Sequence, residues 1–320
     1  RKLEHDARVA DAAIQGDTGP ALTRQRLERL RDASRDHAAE LRALLGPLEL
    51  ETLQANYETG LALRTRMPSD QGLTTYYSNL HRDWCWGDAE NAVSARLVIA
   101  ALDGRDPGND LTLGAGGGRL AYDLHMALRP GISVALDFNP LLVFAAARLV
   151  TGEPLELHEF PIAPRDADDV AVARTLRAPE PVSGGFHLLL ASALRAPFRR
   201  ARFDTLITPW LCDILPEPLP LQAARWNALL KTGGRWVWFG SHAFRSASPA
   251  NNPSLAETRD NIEAAGFSRP LVTEEDIPYM VSPPSRHGRR ERVDVISAEK
   301  LRDAPRQPRH DALPEWLVSG

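Results

Sequence analysis

The spacing of hydrophobic positions divides the chain into a helical N-terminal part and a second part in which strands and helices alternate. Up to residue 105, apolar residues recur at the three- and four-residue intervals of an amphipathic helix. Gly46-Pro47 interrupts this pattern because proline disfavours a helical residue before it. We therefore predict a helical N-terminal region or cap over residues 1–105, with an aromatic, irregular segment at 73–86. The helices predicted in it span residues 21–45, 48–66 and 89–102.

From residue 106 onward, short apolar runs alternate with helical stretches, which is typical of βαβ units in a parallel sheet. The predicted fold class is therefore α/β, with a mostly parallel sheet carrying helices on both faces over residues 106–302. A segment rich in proline and acidic residues, 152–184, is predicted to be an irregular insert, and 303–320 a peripheral tail. The predicted strands are 111–113, 132–136, 186–191, 205–207, 235–239 and 294–296, and the predicted helices are 120–128, 141–150, 221–230 and 255–265.

Composition excludes several classes of protein. The chain has 320 residues, of which 43% are hydrophobic and 25% charged, as in ordinary globular proteins. A formal net charge of −4 disfavours nucleic acid as a partner. No apolar run or leader suggests a membrane or secretory segment, and Cys85 and Cys212 cannot form a disulfide framework or a thiolate zinc site. We expect a cytoplasmic protein without a metal, since the histidines form no metal-binding motif.

Gly114, Gly116 and Gly118 follow the first predicted strand at the spacing G-x-G-x-G. Such a loop lets a ligand approach the backbone closely. Dinucleotide-binding loops need a further glycine or alanine where this chain has Arg119, whereas G-x-G-x-G resembles the Rossmann-like methyltransferases that bind S-adenosyl-L-methionine. Asp137, at the end of the second strand, could accept hydrogen bonds from ribose hydroxyls of either cofactor. An NAD(P)-dependent oxidoreductase and a non-catalytic binding protein on the same fold therefore stay open as alternatives.

Further segments occur in an order that resembles the carnosine N-methyltransferase family. The most distinctive is Arg82-Asp83-Trp84, upstream of the glycine loop, because generic methyltransferases lack it. The similarity extends over roughly residues 76–300. The other segments that carry it are Gly87-Asp88-Ala89-Glu90, Gly114 to Ala121, Ile207 to Asp213, Leu230 to Trp236, Gly240, His242 and Tyr279.

The resemblance implies a Rossmann-like methyltransferase sheet with S-adenosyl-L-methionine as cofactor. It assigns Arg82 to the carboxylate of the cofactor, with Asn79 nearby, and a guanidinium matches a carboxylate in two bonds. The family also carries an acidic residue after its third strand, near the adenine of the cofactor. Ala191 to Leu194, the corresponding segment here, contains no acidic residue, and Ser192 is a weak substitute for it. The full set of expected cofactor-binding residues is Asn79, Arg82, Gly114, Gly116, Gly118, Asp137, Phe138 and Ser192.

For the reaction, the resemblance implies that Asp213, His242 and Tyr279 line the substrate pocket. We expect in-line N-methylation of a small molecule or peptide that contains an imidazole or amine, with Asp213 and His242 positioning the acceptor. Arg286 to Arg290 replaces a tyrosine-rich stretch of the family, which argues against carnosine itself. The replacement suggests either an anionic group on the substrate or a solvated charged turn. The oligomeric state is not indicated.

Overall fold

The computed structural model describes residues 2–16, 20–48 and 76–305 of the chain. Helices α1 (Lys2–Gln15) and α2 (Ala21–Leu44) pack against each other, and α2 confirms the helix predicted at 21–45. A 3₁₀ turn (Gly46–Leu48) follows α2. The helix predicted at 48–66 lies almost entirely outside the described residues. Within the segment predicted to be irregular, helix α3 (Tyr77–His81) runs into a π-helical turn (Arg82–Trp86), a form of helix that often marks functional sites.

A long helix, predicted at 89–102, precedes the alternating part, in which the predicted strands and helices occur in their predicted order together with three further strands. Short 3₁₀ turns at Ala167–Val170, Ala193–Arg195 and Pro249–Asn251 interrupt it. From the long helix onward, the elements are α4 (Asp88–Ala101), β1 (Asn109–Leu113), α5 (Arg119–Leu128), β2 (Ile132–Asp137), α6 (Pro140–Val150), β3 (Leu155–Glu159), β4 (Val172–Leu176), β5 (Phe186–Leu190), β6 (Phe203–Pro209), α7 (Leu219–Leu229), β7 (Leu230–Gly240), α8 (Leu255–Ala264), β8 (Leu271–Tyr279) and β9 (Arg289–Glu299).

Seven of these strands form one sheet in the order β5-β2-β1-β6-β7-β9-β8. The pairs among the first five are parallel, whereas β9 is antiparallel to both β7 and β8. Numbered within the sheet, the order is 3-2-1-4-5-7-6, which is that of the Rossmann-like methyltransferase fold. The predicted fold class is therefore confirmed.

Alternate side chains of the central strands supply two separate cores. On β7, Trp236 and Trp238 belong to one apolar cluster and Val237 and Phe239 to the other, as the two-residue period of a strand requires. Helices α7 and α8 cover the first face of the sheet, and α4 and α5 cover the second. Because both faces are covered, ligands reach the sheet at its edges. None of the described helices has the length and apolar character needed to cross a membrane.

The insert at 152–184 differs from its prediction, because part of it is regular. Strands β3 and β4 pair as an antiparallel hairpin, separate from the main sheet. Apolar residues of this hairpin, including Leu155, Leu157 and Leu176, join a third cluster with α2, α3 and α6. The insert therefore connects the N-terminal helices to the sheet domain.

Candidate active site

The topology of the sheet places a crevice between β1 and β6. The chain passes from β1 to β2 on one side and reaches β6 on the other, so the loops after these two strands diverge. In open α/β sheets, ligands bind at such a switch point, beyond the carboxyl ends of the strands. The predicted site residues from Gly114 onward lie at or after the carboxyl ends of β1, β2, β5, β6, β7 and β8, all on this edge of the sheet. Asn79 and Arg82 come from α3 and the π-helical turn instead.

The glycine loop leaves space beside its backbone. Gly114, Gly116 and Gly118 all have φ between +59° and +82°, which glycine adopts without the strain that a side chain would add. A Cβ atom at Gly116 would meet no other atom within 4 Å. The loop therefore has the open cradle that a closely bound ligand requires.

Asp137 is buried at the end of β2 and faces this loop. Its Oδ2 accepts a hydrogen bond from the backbone N–H of Gly116 (2.9 Å), and its Oδ1 accepts one from Asn139 (2.8 Å). Burial raises the pKa of Asp137 to about 6, against the opposing effect of the backbone N–H groups. A carboxylate has about four acceptor positions, so about two remain for a ligand diol.

Arg82 lies at the start of the π-helical turn and is held on three sides. Its guanidinium binds Asp83 Oδ1 through Nε (2.8 Å) and Nη2 (2.7 Å), and Nη1 lies 3.3 Å from Oε1 of Glu90. The ring of Tyr279 faces the guanidinium, with its centroid 5.7 Å from Cζ. Burial acts to lower the pKa of Arg82, but the two carboxylates raise it above its usual range.

The π-helical turn packs directly on the glycine loop. Trp84 Nε1 donates a hydrogen bond to the carbonyl of Gly117 (2.8 Å), and Arg119 Nη1 donates one to the carbonyl of Asp83 (2.6 Å). The Arg119 guanidinium also lies over the Trp84 ring, 5.5 Å from its centroid. Arg82-Asp83-Trp84 and the glycine loop, which lie far apart in sequence, therefore form a single structural unit.

The remaining predicted cofactor residues lie at the same edge with fewer contacts. Phe138 follows β2 and is partly buried, whereas Ser192 precedes the 3₁₀ turn after β5. The backbone links them, because the N–H of Ala191 donates to the carbonyl of Asp137 (2.9 Å). Asn79 lies on α3, one turn before Arg82, and is also partly buried.

Asp213 lies beyond β6, next to the loop that follows β7. Burial raises the pKa of its carboxyl, while backbone N–H groups, including that of Ala243, and the Ser241 hydroxyl oppose this increase by hydrogen bonding. A carboxyl group with a raised pKa is better matched to proton transfer near neutral pH. Asp213 therefore lies where the loops that follow β6 and β7 meet.

His242 lies in the same loop, but both of its ring nitrogens have partners within the protein. Nε2 is 2.9 Å from Oγ1 of Thr258 on α8, and Nδ1 is 3.2 Å from Oδ2 of Asp294 on β9. Its ring also packs edge-on against Trp238 at 5.4 Å. These contacts connect the loop after β7 to α8 and β9. Contacts of this kind are typical of a histidine that holds a loop in position.

An aromatic wall, formed by Trp210 and Tyr279, lies beside Arg82. The two ring centroids are 4.7 Å apart, and the Arg289 guanidinium also lies over the Tyr279 ring, with Cζ 4.6 Å from its centroid. Trp210 has φ +49°, an uncommon conformation for a bulky residue, and such strain clusters at functional sites. Trp210 was not among the predicted site residues. It lies three residues after the strand predicted at 205–207, within the segment Ile207 to Asp213 that carries the family resemblance, and this position was a signal that could have identified it.

The arginine run at 286–290 does not form a free cationic wall. Arg286 donates to the carbonyls of Pro164 (3.2 Å) and Arg165 (2.5 Å), and Arg290 donates to the carbonyl of Asp276 (2.7 Å). Arg289 pairs with Glu291 at 2.6 Å. Much of the hydrogen-bonding capacity of the run is thus used to fix the β8–β9 hairpin to the insert and to itself. All five residues are exposed, as expected for a solvated charged turn.

The chain is similar to known proteins in structure but has little sequence identity with them. No family model matches the chain, and no curated protein matches it. The YcgJ protein of Bacillus subtilis is similar at 12% identity and a TM-score of 0.45, over 66% of this chain and 99% of that one. A TehB-like SAM-dependent methyltransferase of Corynebacterium glutamicum is similar at 15% identity and a TM-score of 0.38, over 65% of this chain and 86% of that one.

Proposed function

We propose that this chain is an S-adenosyl-L-methionine-dependent methyltransferase. The observation that carries the proposal is the open cradle at Gly116, bordered by the buried carboxylate of Asp137 and joined to Arg82 through the π-helical turn. We assign three groups at this switch point to the cofactor: the glycine loop, the carboxylate of Asp137 as acceptor for a diol, and the guanidinium of Arg82 as partner of a carboxylate. These groups match the backbone-contacting, ribose and amino-acid parts of that cofactor.

We assign a part of the cofactor to each of the predicted residues. Asp137 would accept the ribose hydroxyls, and Phe138 and Ser192 lie where adenine would pack beyond β2 and β5. Arg82 would bind the carboxylate, with Asn79 one helical turn away. When bound, S-adenosyl-L-methionine supplies an electrophilic methyl group.

The chain's own contribution to methyl transfer is to orient the acceptor and to receive its proton. We assign Asp213 to an N–H of the acceptor. With an imidazole, its partly buried carboxylate would hold the far N–H, which keeps the attacking nitrogen unprotonated, and would stabilise the positive charge that develops during transfer. Trp210 and Tyr279 would pack against the acceptor and exclude water. His242 acts by fixing the loop that contacts Asp213, because both of its ring nitrogens are engaged elsewhere.

The acceptor class that fits these groups is a small molecule or peptide with an imidazole or amine nitrogen. A carboxylate and aromatic faces favour an acceptor that becomes cationic during transfer. Carnosine is not favoured, because the run at 286–290 carries no tyrosine. Arg119, which takes the place of the third dinucleotide glycine, is fixed by Asp123 at 2.8 Å and by Asp88 at 3.1 Å, and this bulk disfavours NAD(P).

A methyl-transfer assay tests the reaction and the role of Asp213. Labelled S-adenosyl-L-methionine is incubated with a panel of imidazole, amine and hydroxyl compounds, and the methylated product is identified by mass. With the acceptor found, we expect Asp213→Asn to reduce kcat on the order of 10²- to 10⁴-fold, because a base is lost, and to leave affinity for S-adenosylhomocysteine within about twofold. An unchanged kcat would contradict the role, and transfer to oxygen acceptors alone would contradict N-methylation.

A further inference from the structure

Asp83 has a buried carboxylate with one oxygen unused. The residue is 3% exposed, and its Oδ1 carries both contacts to Arg82. Among the described residues, no hydrogen bond reaches Oδ2. This oxygen lies against the glycine loop, where a Cβ atom at Gly117 would come within 2.6 Å of it. An acceptor without a donor therefore borders the cradle proposed for the cofactor.

The charges around Asp83 do not balance. Both Asp83 and Glu90 are buried, and both approach Arg82, so one guanidinium faces two carboxylates. Arg119 does not supply the missing charge, because its ion pairs are with Asp88 and Asp123 and it meets only the backbone carbonyl of Asp83. Buried charge that lacks a partner is costly, so this arrangement favours a cationic ligand group.

Arg82 keeps donors for a second group beside this acceptor. A guanidinium has five N–H groups, and the contacts with Asp83 and Glu90 use one each on Nε, Nη2 and Nη1. One N–H therefore remains on each terminal nitrogen. Consecutive residues thus present an anionic acceptor and a pair of cationic donors side by side.

We propose that Asp83 Oδ2 binds the α-ammonium group of the cofactor while Arg82 binds its carboxylate. An α-amino acid carries both charged groups on one carbon, and adjacent residues of opposite charge complement it. This inference rests on the proposed function and adds to it the recognition of the amino group. It also explains a requirement for Gly117, since only a residue without Cβ lets the Asp83 carboxylate reach the loop.

Calorimetric titrations with two ligands separate recognition from a merely structural role. S-adenosylhomocysteine carries the amino-acid part, and 5′-methylthioadenosine lacks it. We expect Asp83→Asn to weaken S-adenosylhomocysteine binding on the order of 10- to 100-fold, because a hydrogen bond to a charged group is lost. Binding of 5′-methylthioadenosine should change by less than about twofold. Asp88→Asn, which removes an exposed partner of Arg119, is the matched control and should change neither affinity.

A second measurement on the unaltered protein does not depend on how the variant folds. The analogue of S-adenosylhomocysteine in which hydrogen replaces the α-amino group should bind on the order of 10-fold more weakly than S-adenosylhomocysteine itself. Equal affinity of these two ligands, or an equal loss of both ligands in Asp83→Asn, would overturn the assignment while leaving the proposed function intact. If the unaltered protein binds neither S-adenosylhomocysteine nor 5′-methylthioadenosine, the proposed function itself fails, and the assignment with it.

Discussion

Asp137 gives cofactor affinity a predictable dependence on pH. Burial raises its pKa from 3.8 to about 6, and only the carboxylate form can accept two ribose hydroxyls in addition to its backbone N–H bonds. We therefore predict that the affinity for S-adenosylhomocysteine falls as pH is lowered through about 6. Titrations at pH 5, 6, 7 and 8 measure this, and an affinity in Asp137→Asn that varies with pH as in the unaltered protein would contradict it.

The raised pKa of Asp137 affects the stability of the unliganded protein in the opposite direction: this contribution to stability decreases as pH rises, whereas the affinity for the cofactor increases. Because the folded pKa of Asp137 lies above the unfolded value, the folded state holds the proton more tightly. The contribution of this group to stability is therefore greatest below about pH 4 and is lost as pH rises through 6. A buried acid that weakens the free protein at neutral pH is consistent with a residue kept for its ligand.

Asp110, Ser133 and His125 form a buried proton chain at the opposite edge of the sheet. Ser133 Oγ is 2.6 Å from Asp110 Oδ2 and 3.0 Å from His125 Nδ1, and His125 Nε2 is 3.0 Å from the carbonyl of Gly184. Burial raises the pKa of Asp110 to about 7 and lowers that of His125. Both shifts favour the neutral forms of Asp110 and His125, and the Ser133 hydroxyl donates to Asp110 Oδ2.

Asp110→Asn tests this chain, because an amide oxygen can accept from Ser133 but the amide cannot ionise. The folded pKa of Asp110 lies above its unfolded value of 3.8, so its contribution to stability is lost as pH rises from about 4 to 7. We predict that the variant gains about 2–4 kcal/mol in unfolding free energy relative to the unaltered protein between pH 4 and pH 8. Denaturant melts at both pH values measure this gain. If the variant and the unaltered protein differ in unfolding free energy by the same amount at pH 4 and at pH 8, Asp110 is not neutral in the folded protein and the prediction is wrong.

At the scale of elements, the proposed role of the glycine loop in cofactor binding can be tested by comparison with a glycine of similar backbone conformation in another loop. Gly116 (φ +59°) and Gly104 (φ +70°) both have open space where a Cβ would be placed, but Gly104 follows α4, away from the carboxyl ends of the strands. Alanine at either position should cost about 1 kcal/mol of stability through backbone strain. We predict that Gly116→Ala also weakens S-adenosylhomocysteine binding by at least about tenfold, whereas Gly104→Ala does not. Equal affinities of the two variants would show that the cradle is not a cofactor site.

Elements with a strong internal pattern were predictable, and elements defined by their neighbours were not. The buried runs of β1, β2 and β6 and the amphipathic helices between them carry their signal in sequence, because each must cover apolar surface. Strand β8 (LVTEEDIPY) is at the edge of the sheet and is largely exposed, so it has no apolar run, and its pairing with β9 fixes it. The hairpin β3–β4 was missed for a similar reason, since it is stabilised by packing on α2, α3 and α6.

The candidate site was predictable in its parts and not in its assembly. The glycine spacing and Asp137 follow from local patterns, and Arg82 follows from a family resemblance. Trp210 belongs to the candidate site and has an unusual backbone conformation, and His242 contacts Thr258 and Asp294, which lie on elements distant in sequence. Such contacts depend on which strands become neighbours, and no local spacing contains that information.

At the scale of the whole molecule, the N-terminal helices and the insert are joined to the site by a polar cluster. Glu40 on α2 meets His37 at 3.2 Å and His158 at 3.1 Å, and Tyr77 donates to the carbonyl of His158 (2.8 Å). Helix α3, which carries Tyr77, continues directly into the π-helical turn that begins with Arg82. The helical N-terminal part therefore supports the segment that we propose binds the cofactor.

Calorimetric titration with S-adenosylhomocysteine, alongside NADH and NADPH, tests the central claim most directly. We predict stoichiometric binding of S-adenosylhomocysteine, a reduction of at least about tenfold in affinity when Arg82 or Asp137 is replaced by alanine, and no binding of either dinucleotide. Melting curves of the variants verify that each is folded. Binding of NADH or NADPH in place of S-adenosylhomocysteine would contradict the account and favour an oxidoreductase.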